Sequence, residues 1–405
     1  MTKLRQPVWL KPEEVPALPE GWRAMATEDA CVQLKPGKLF ETKTVSETGE
    51  VPVLNQSENN FLGYHDEEPG VYASPEKPVV TFANHTCAMR LMKQPFSTIQ
   101  NIFPKVGKPD VTDTVYFYYA SLGRVGLSDY KGHHPIFRLT HIPVPPMPVQ
   151  RRIASILSAY DELIENSEQR IRILETMARA LYREWFVHFR FPGHETHPRV
   201  PSPLGNIPQG WEVKKLGDIA EDMRRNVAKG ELEEPKPYVG LEHIPRRSLA
   251  LDAWETATEL GSNKLEFKKG EILFGKIRPY FHKVSVAPFD GLCSADTIVV
   301  RARHPEHYAV VVACVSSDAF VAEASATANG AKMPRANWDV LEKYQVVIPS
   351  SKIATKFSAL FADIIAQQQA LIFQIQNLRR TRDLLLPRLL SRQILITTKD
   401  NYADA

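Results

Sequence analysis

Few residues in this sequence are spaced for chemistry. Gly270, Gly275 and Lys276 satisfy the GxxxxGK spacing of a phosphate-cradling loop, whose backbone N–H groups would hold a nucleotide. The next residue is Ile277, where Mg²⁺ needs Ser or Thr, and the loop interior of Glu271, Ile272, Leu273 and Phe274 is a β-prone run. Pro109 and Asp110, followed by Asp129, Tyr130 and Lys131, imitate the loose PD…(D/E)xK pattern of a nuclease, a pattern that arises cheaply in 405 residues. No HExxH, GxSxG or [Asn/Asp]-Pro-Pro-[Tyr/Phe] string is present. The cysteines, Cys31, Cys87, Cys293 and Cys314, form no CxxC pair and read as isolated thiols, not a zinc site or disulfide framework. His194 and His197 sit in a proline-rich stretch without preformed ligand geometry. The expectation is a chain with no catalytic residues, no cofactor site and no metal site.

The elements that would position any functional residue are repeated. Residues 18–22 (Leu-Pro-Glu-Gly-Trp) match residues 207–211 (Ile-Pro-Gln-Gly-Trp) at an offset of 189. Residues 142–145 (Ile-Pro-Val-Pro) match residues 346–349 (Val-Val-Ile-Pro) at an offset of 204. A heptad run follows the second mark in each copy. In the first it takes Ile153, Leu157, Tyr160, Ile164, Ser167, Ile171, Leu174, Ala178, Leu181 and Trp185. The same frame, 204 residues on, takes Phe357, Phe361, Ile364, Gln368, Leu371, Ile375, Leu378, Arg382, Leu385 and Leu389. Each helix spans about 38 residues, roughly 55 Å, and neither is stable with such a stripe in water. The stripes are therefore expected to face each other as an antiparallel pair with the two domains at opposite ends. The polar seam residues Ser167, Gln368 and Arg382 would fix register. The charged flank of the first helix, including Arg151, Arg152, Glu165, Glu168, Arg170, Arg172 and Glu175, reads as its solvated face.

This divides the chain into a first mixed α/β domain (1–148), a first long helix (149–190) and a Pro/Gly-rich linker (191–206). A second domain (207–348), a second long helix (349–396) and a tail (397–405) follow. The fold class is α+β with a pseudo-twofold internal repeat. Residues 78–82, 115–119 and 136–139 read as strands, the middle run with a helical alternative; residues 270–275, 297–301 and 344–348 also read as strands. Residues 308–325 look helical. No stretch of about 18 apolar residues exists and the start lacks a signal-peptide core, so a cytoplasmic protein is expected, without a membrane. The two domains carry almost balanced charge. Residues 349–396 carry seven basic residues against Asp363 and Asp383, so a nucleic-acid face on a domain would have to be a local gathering of cations.

These landmarks resemble the DNA-specificity (S) subunit of type I restriction-modification systems over almost the whole chain. The residues that carry the resemblance are 182–194 (Tyr-Arg-Glu-Trp-Phe-Val-His-Phe-Arg-Phe-Pro-Gly-His) and 202–213 (Ser-Pro-Leu-Gly-Asn-Ile-Pro-Gln-Gly-Trp-Glu-Val). Residues 270–280 stand in place of the family's G-D-I-L…R-P-Y run, and Pro145, Gln150 and Ile153 fit its helix start. The second helix has Ala354 where that Gln would stand, and the first domain has no clear G-D-I-L run.

The resemblance implies two target-recognition domains, each reading one half of a bipartite site on double-stranded DNA. It also implies helices that set the spacing and dock two modification (methyltransferase) subunits. S-adenosylmethionine, ATP and Mg²⁺ would then belong to those subunits and to restriction/translocase subunits, not to this chain. Base readout favours Arg, Lys, Asn and Gln, and phosphate accepts any cation. Candidate contacts in the second domain are Lys276, Arg278, Tyr280 and Lys283, with Lys332, Arg335 and Asn337. In the first they are Asn84, His85, Arg90, Lys105, Lys108, Arg124, Lys131 and His133. Arg278, Pro279 and Tyr280, shared across readers of different sequences, suit phosphate better than a base. A coiled-coil adaptor that docks proteins only, or a free-standing nuclease, remains open on the residues alone.

Overall fold

In each copy the strand that follows the first recurring string pairs with the second string in the computed structural model, which describes residues 5–58, 60–127, 132–391, 393 and 394. In the first copy the strand Arg23–Ala26 lies antiparallel to His141–Val144, with Arg23 opposite Val144. In the second, Glu212–Lys215 lies antiparallel to Gln345–Ile348, with Glu212 opposite Ile348. The two registers are the same once the offsets of 189 and 204 are applied. Each domain is thus closed where it begins and ends by one short ladder.

The correspondence continues inward. The helix Thr27–Ala30 and strand Cys31–Gln33 reappear, 189 residues on, as Leu216–Ile219 and Ala220–Asp222. Each domain then builds an antiparallel four-stranded sheet in one order. The first is Cys31–Gln33, Ile102–Gly107, Val79–Ala83, Met89–Met92; the second is Ala220–Asp222, Thr297–Ala302, Ile272–Gly275, Val284–Val286. A second sheet in each domain contains one parallel pair, Val53 beside Ser97 in the first domain and Tyr238 beside Leu292 in the second. The fold is α+β, twice over.

Contacts divide the chain into two units. One comprises residues up to Leu163 with those from Leu378 onward, and the other runs from Ile164 to Asn377. The long helices, Met147–Tyr182 and Ser351–Leu390, contribute a half to each. In the first unit, Ile153 and Leu157 share one buried cluster with Leu386, Leu389 and Leu390 and with Tyr116 and Phe117 of the first domain. The start of one helix therefore lies against the end of the other. In the second unit, Trp185 and Phe186, on the π turn Arg183–Val187 that ends the first helix, meet Phe357 near the start of the second, with ring centroids 5.7 and 4.7 Å apart. Both halves are antiparallel. Ile164, Ile171, Leu174, Phe361, Ile364, Leu371 and Ile375 are buried, as are the polar Ser167 and Gln368; Tyr160, Leu181, Leu378 and Leu385 are half-buried.

Three readings of the sequence change. The run 115–119 is helix, Thr114–Ser121, because the Asp113 carboxylate accepts the N–H groups of Val115 and Tyr116, both at 2.9 Å. The run 136–139 is also helix, His134–Leu139: Pro135 opens it, and Phe137 stacks on Phe82 at 4.3 Å. Glu175 is buried, not solvated. Its Oε1 accepts from Leu249 N at 2.8 Å and from the Ser248 hydroxyl, which fastens the second domain to the first helix.

The proline-rich stretch between the copies is ordered. It folds as a hairpin of Arg199–Ser202 against Gly205–Pro208, with Phe191 on Trp211 at 5.1 Å. Residues 308–325 form two helices, Tyr308–Val315 and Asp318–Ala326, where Ser317 caps the second. Among the described residues no single helix is long and apolar enough to cross a membrane.

Candidate nucleic-acid interface

The phosphate-loop spacing disappears into the core. Ile272, Leu273 and Phe274 are fully buried on an inner strand of the second domain's four-stranded sheet, so their backbone groups belong to the ladder. Asp129 and Lys131 of the nuclease-like pattern lie outside the described residues.

What that strand delivers is its exit. Lys276, Arg278 and Tyr280 leave it at the sheet edge, and two other loops are hydrogen-bonded to them. Lys276 N donates to Asp296 O at 2.9 Å, Ala336 N donates to Lys276 O at 3.0 Å, and Arg278 N donates to Pro334 O at 2.8 Å. Arg335 is exposed on the same edge, with its Nε 3.4 Å from Asp296, and Lys332 is exposed in the same loop. Tyr280 is 56% exposed, so its ring faces solvent at this edge.

Arg278 holds a left-handed backbone, φ 50°, and His282 another, φ 52°. Neither is glycine, so the turn Arg278–His282 stores strain that the surrounding hydrogen bonds must hold. The Arg278 Nε is buried without a hydrogen-bond partner among the described residues. The Lys276 amine reaches Ala295 O at 3.1 Å. Together these groups offer cations for phosphate, a planar guanidinium and an aromatic face.

The same edge exists in the first domain, hidden from sequence comparison. Val80 lies opposite Lys105 as Ile272 lies opposite Val300, which makes Asn84 the counterpart of Lys276. The next bond repeats: His133 N donates to Asn84 O at 3.1 Å, as Ala336 N does to Lys276 O. The strand Val79–Ala83 therefore stands where the second domain has its Gly-Glu-Ile-Leu run. Asn84 and His85 leave it beside Gln56, whose Oε1 accepts His85 N at 2.9 Å, and Asn101, whose amide lies 3.3 Å from His85 Nε2. The strand-exit position was legible; its partners Gln56 and Asn101 come from loops distant in sequence and carry no sequence signal.

Several candidates are set elsewhere. Lys105 is 2% exposed and donates to Gln33 at 3.1 Å, and burial pushes its amine below the usual lysine range. Arg124 is also 2% exposed. It donates to Ala120 O and Pro7 O, lies over the Trp9 ring at 4.2 Å, and burial brings its guanidinium down to about 10. His133 is buried with its Nδ1 3.0 Å from Asn84 O. These three are out of reach of DNA. Arg90 is half-buried and donates to Ser57 O and Asn60 O, so its charge tethers a loop. The Asn84 side chain accepts His134 N at 2.8 Å and serves the turn. Lys283 donates to Leu241 O, and burial lowers its amine. Asn337 caps the helix Trp338–Leu341 through Asp339 N. Lys108 is exposed. Lys131 lies outside the described residues. His85, Lys108, Lys276, Arg278, Tyr280, Lys332 and Arg335 remain available.

The helix start found in the sequence has a mechanical role. Gln150 is buried; its Oε1 accepts Asp113 N at 2.8 Å, and its Nε2 donates to Val111 O at 2.9 Å and Pro145 O at 2.8 Å. One amide thus bolts the first helix to its domain. In the second helix Ala354 is buried and offers no such bond, and the bolt there comes from Glu175 on the other helix.

A family model for the type I restriction modification DNA specificity domain matches residues 19–176. The chain is 27% identical to the MjaIX type I restriction enzyme specificity subunit of Methanocaldococcus jannaschii, over 76% of this chain and 74% of that one. It is 24% identical to the EcoDI specificity subunit of Escherichia coli, over 87% and 84% of the two chains. Its fold is similar to the crystal structure of a type I restriction-modification S subunit from M. genitalium, with a TM-score of 0.58 at 16% identity, covering 94% of this chain and 98% of that one.

Proposed function

We propose that the chain is a specificity subunit of a type I restriction-modification system, as its likeness to such subunits suggests, and that each of its α/β domains reads one half of a split site on double-stranded DNA. The observation that carries this reading is the repeated sheet edge. The two domains share strand order and register, yet the loops leaving the equivalent strands differ: Lys276 to Lys283 in one, Asn84 to Ala88 in the other. A common frame with unlike loops suits two readers of different sequences. In the second domain Arg278, Tyr280, Lys332 and Arg335 take phosphate, while Lys276 approaches the bases. In the first, His85 and Lys108 are the accessible counterparts.

The antiparallel helices act as the spacer between half-sites and, on their outer faces, dock two modification subunits. Adenine methylation then takes place on those subunits, which hold S-adenosylmethionine. Restriction subunits, with ATP and Mg²⁺, cleave unmodified DNA. This chain contributes no catalytic residue, and its work lies with cytoplasmic DNA.

Footprinting of the purified complex tests the reading. The expected result is two short protected tracts separated by an unprotected spacer of constant length, with affinity falling steeply as salt rises. A single continuous tract, or none, would contradict it. A chain that retains its protein partners but has no DNA affinity would favour the docking-adaptor alternative.

A further inference from the structure

We propose that Asp161 and Arg382 form a register lock that fixes how the two long helices align, and hence which helix halves receive the first domain. The Arg382 Nη1 donates to Asp161 Oδ1 at 2.5 Å, and the Tyr119 hydroxyl, from the first domain, donates to Asp161 Oδ2 at 2.5 Å. Arg382 is held from behind by Asp383 Oδ1, at 2.9 and 3.0 Å. One carboxylate thus joins both helices and the domain. Tyr119 is buried, and the two ionic side chains are only 23% and 24% exposed.

Apart from the buried Ser167 and Gln368, the rest of the seam is apolar in one heptad frame on both helices, and an apolar stripe tolerates a shift of seven residues. A shift in either direction would put Leu389 or Ile375 against Asp161, leaving a half-buried carboxylate without its cation.

The repeat supplies the second argument. Across the 204-residue offset, Asp161 corresponds to Ile365 and Arg382 to Ala178, and along the offset of the paired strands Tyr119 corresponds to Cys314; all three are buried. The lock therefore exists in one copy only. It distinguishes the helix halves that a near-symmetric seam would otherwise leave equivalent. Its consequence for half-site spacing rests on the reading above: a seven-residue shift is about 10 Å along the helix, or roughly three base pairs.

The test uses the full chain with spin labels at Ser155→Cys and Arg388→Cys, both exposed positions in the same unit, and Cys87→Ser to remove the half-buried native thiol. The parent is expected to give one inter-label distance. Asp161→Leu with Arg382→Leu, which replaces the pair by apolar volume, is expected to add a population displaced by about 10 Å while circular dichroism keeps its helical signal. Asp161→Asn with Arg382→Gln is the second variant, expected to give the same displaced population. A single unchanged distance in both variants overturns the lock. Unfolding of both also overturns it, because the pair would then hold the fold and not its register. Displaced labels together with an unchanged DNA spacer preference would leave the lock standing and refute the spacing reading.

Discussion

Whether a cation on this chain reaches DNA or serves the fold is decided by its surroundings, not its charge. Arg278 and Arg124 are both arginines in aromatic company. Arg124 spends its donors on backbone carbonyls under Trp9, whereas Arg278 sits on a strained turn with a buried Nε left over. Arg278→Ala is expected to weaken DNA binding 10- to 100-fold and to lower the slope of log affinity against log salt by about one, measured by fluorescence anisotropy of the complex. Lys105→Met is expected to leave affinity within about twofold; a loss as large as that of Arg278→Ala would put Lys105 back at the interface. The thiols offer an independent check of burial. Burial pushes Cys293 and Cys314 up to about 12, so at pH 8 neither is a thiolate, and a maleimide is expected to label Cys87 before either of them. Rapid labelling of Cys293 or Cys314 in the native chain would contradict the packing described. Sequence could name residue types for DNA contact. It could not tell Lys105 from Lys108, because alternation along one strand sends one inward and leaves the other at its end.

At the scale of elements, the heptad frame made the helices legible, since a 3.5-residue period sustained over four heptads has few other solutions. The strand-like runs at 115–119 and 136–139 were misleading for a physical reason. Aromatic and β-branched residues favour strands only weakly, and here the Asp113 cap and Pro135 start helices that tertiary packing then keeps. Glu175 was read as surface because its neighbours at 168, 170 and 172 are charged; its partner, the backbone of Ser248 to Ala250, is more than seventy residues away. The two bolts should be energetically similar. Gln150→Ala would strand the Asp113 N–H and two carbonyls, and is expected to cost on the order of 3 kcal/mol in urea unfolding. Glu175→Ala strands the Leu249 N–H and a hydroxyl, and is expected to cost about 2 kcal/mol. A cost below about 0.5 kcal/mol for either would mean that helix and domain are held by the apolar seam alone.

The whole molecule is a duplication in which strand order and register repeat while the loops leaving the sheets do not. The marks at residues 18–22 and 142–145 reveal the repeat because one leads into the closing ladder and the other lies in it, where both copies obey one geometry. The loops at the sheet edges diverge, which is why the first domain's counterpart of the Gly-Glu-Ile-Leu strand could not be found by matching letters. Val79–Ala83 shares its place and its ladder partners, not its residues. Exchanging the edge loops of one domain is expected to change one half of the recognised site and leave the other half intact. The most direct measurement is single-molecule sequencing of methylated adenine in cells expressing this chain with the proposed modification subunits. Modified adenines are expected within two short sequences, on opposite strands, at one constant separation. Modification at a continuous sequence, or modification that persists unchanged when this chain is deleted, would contradict it.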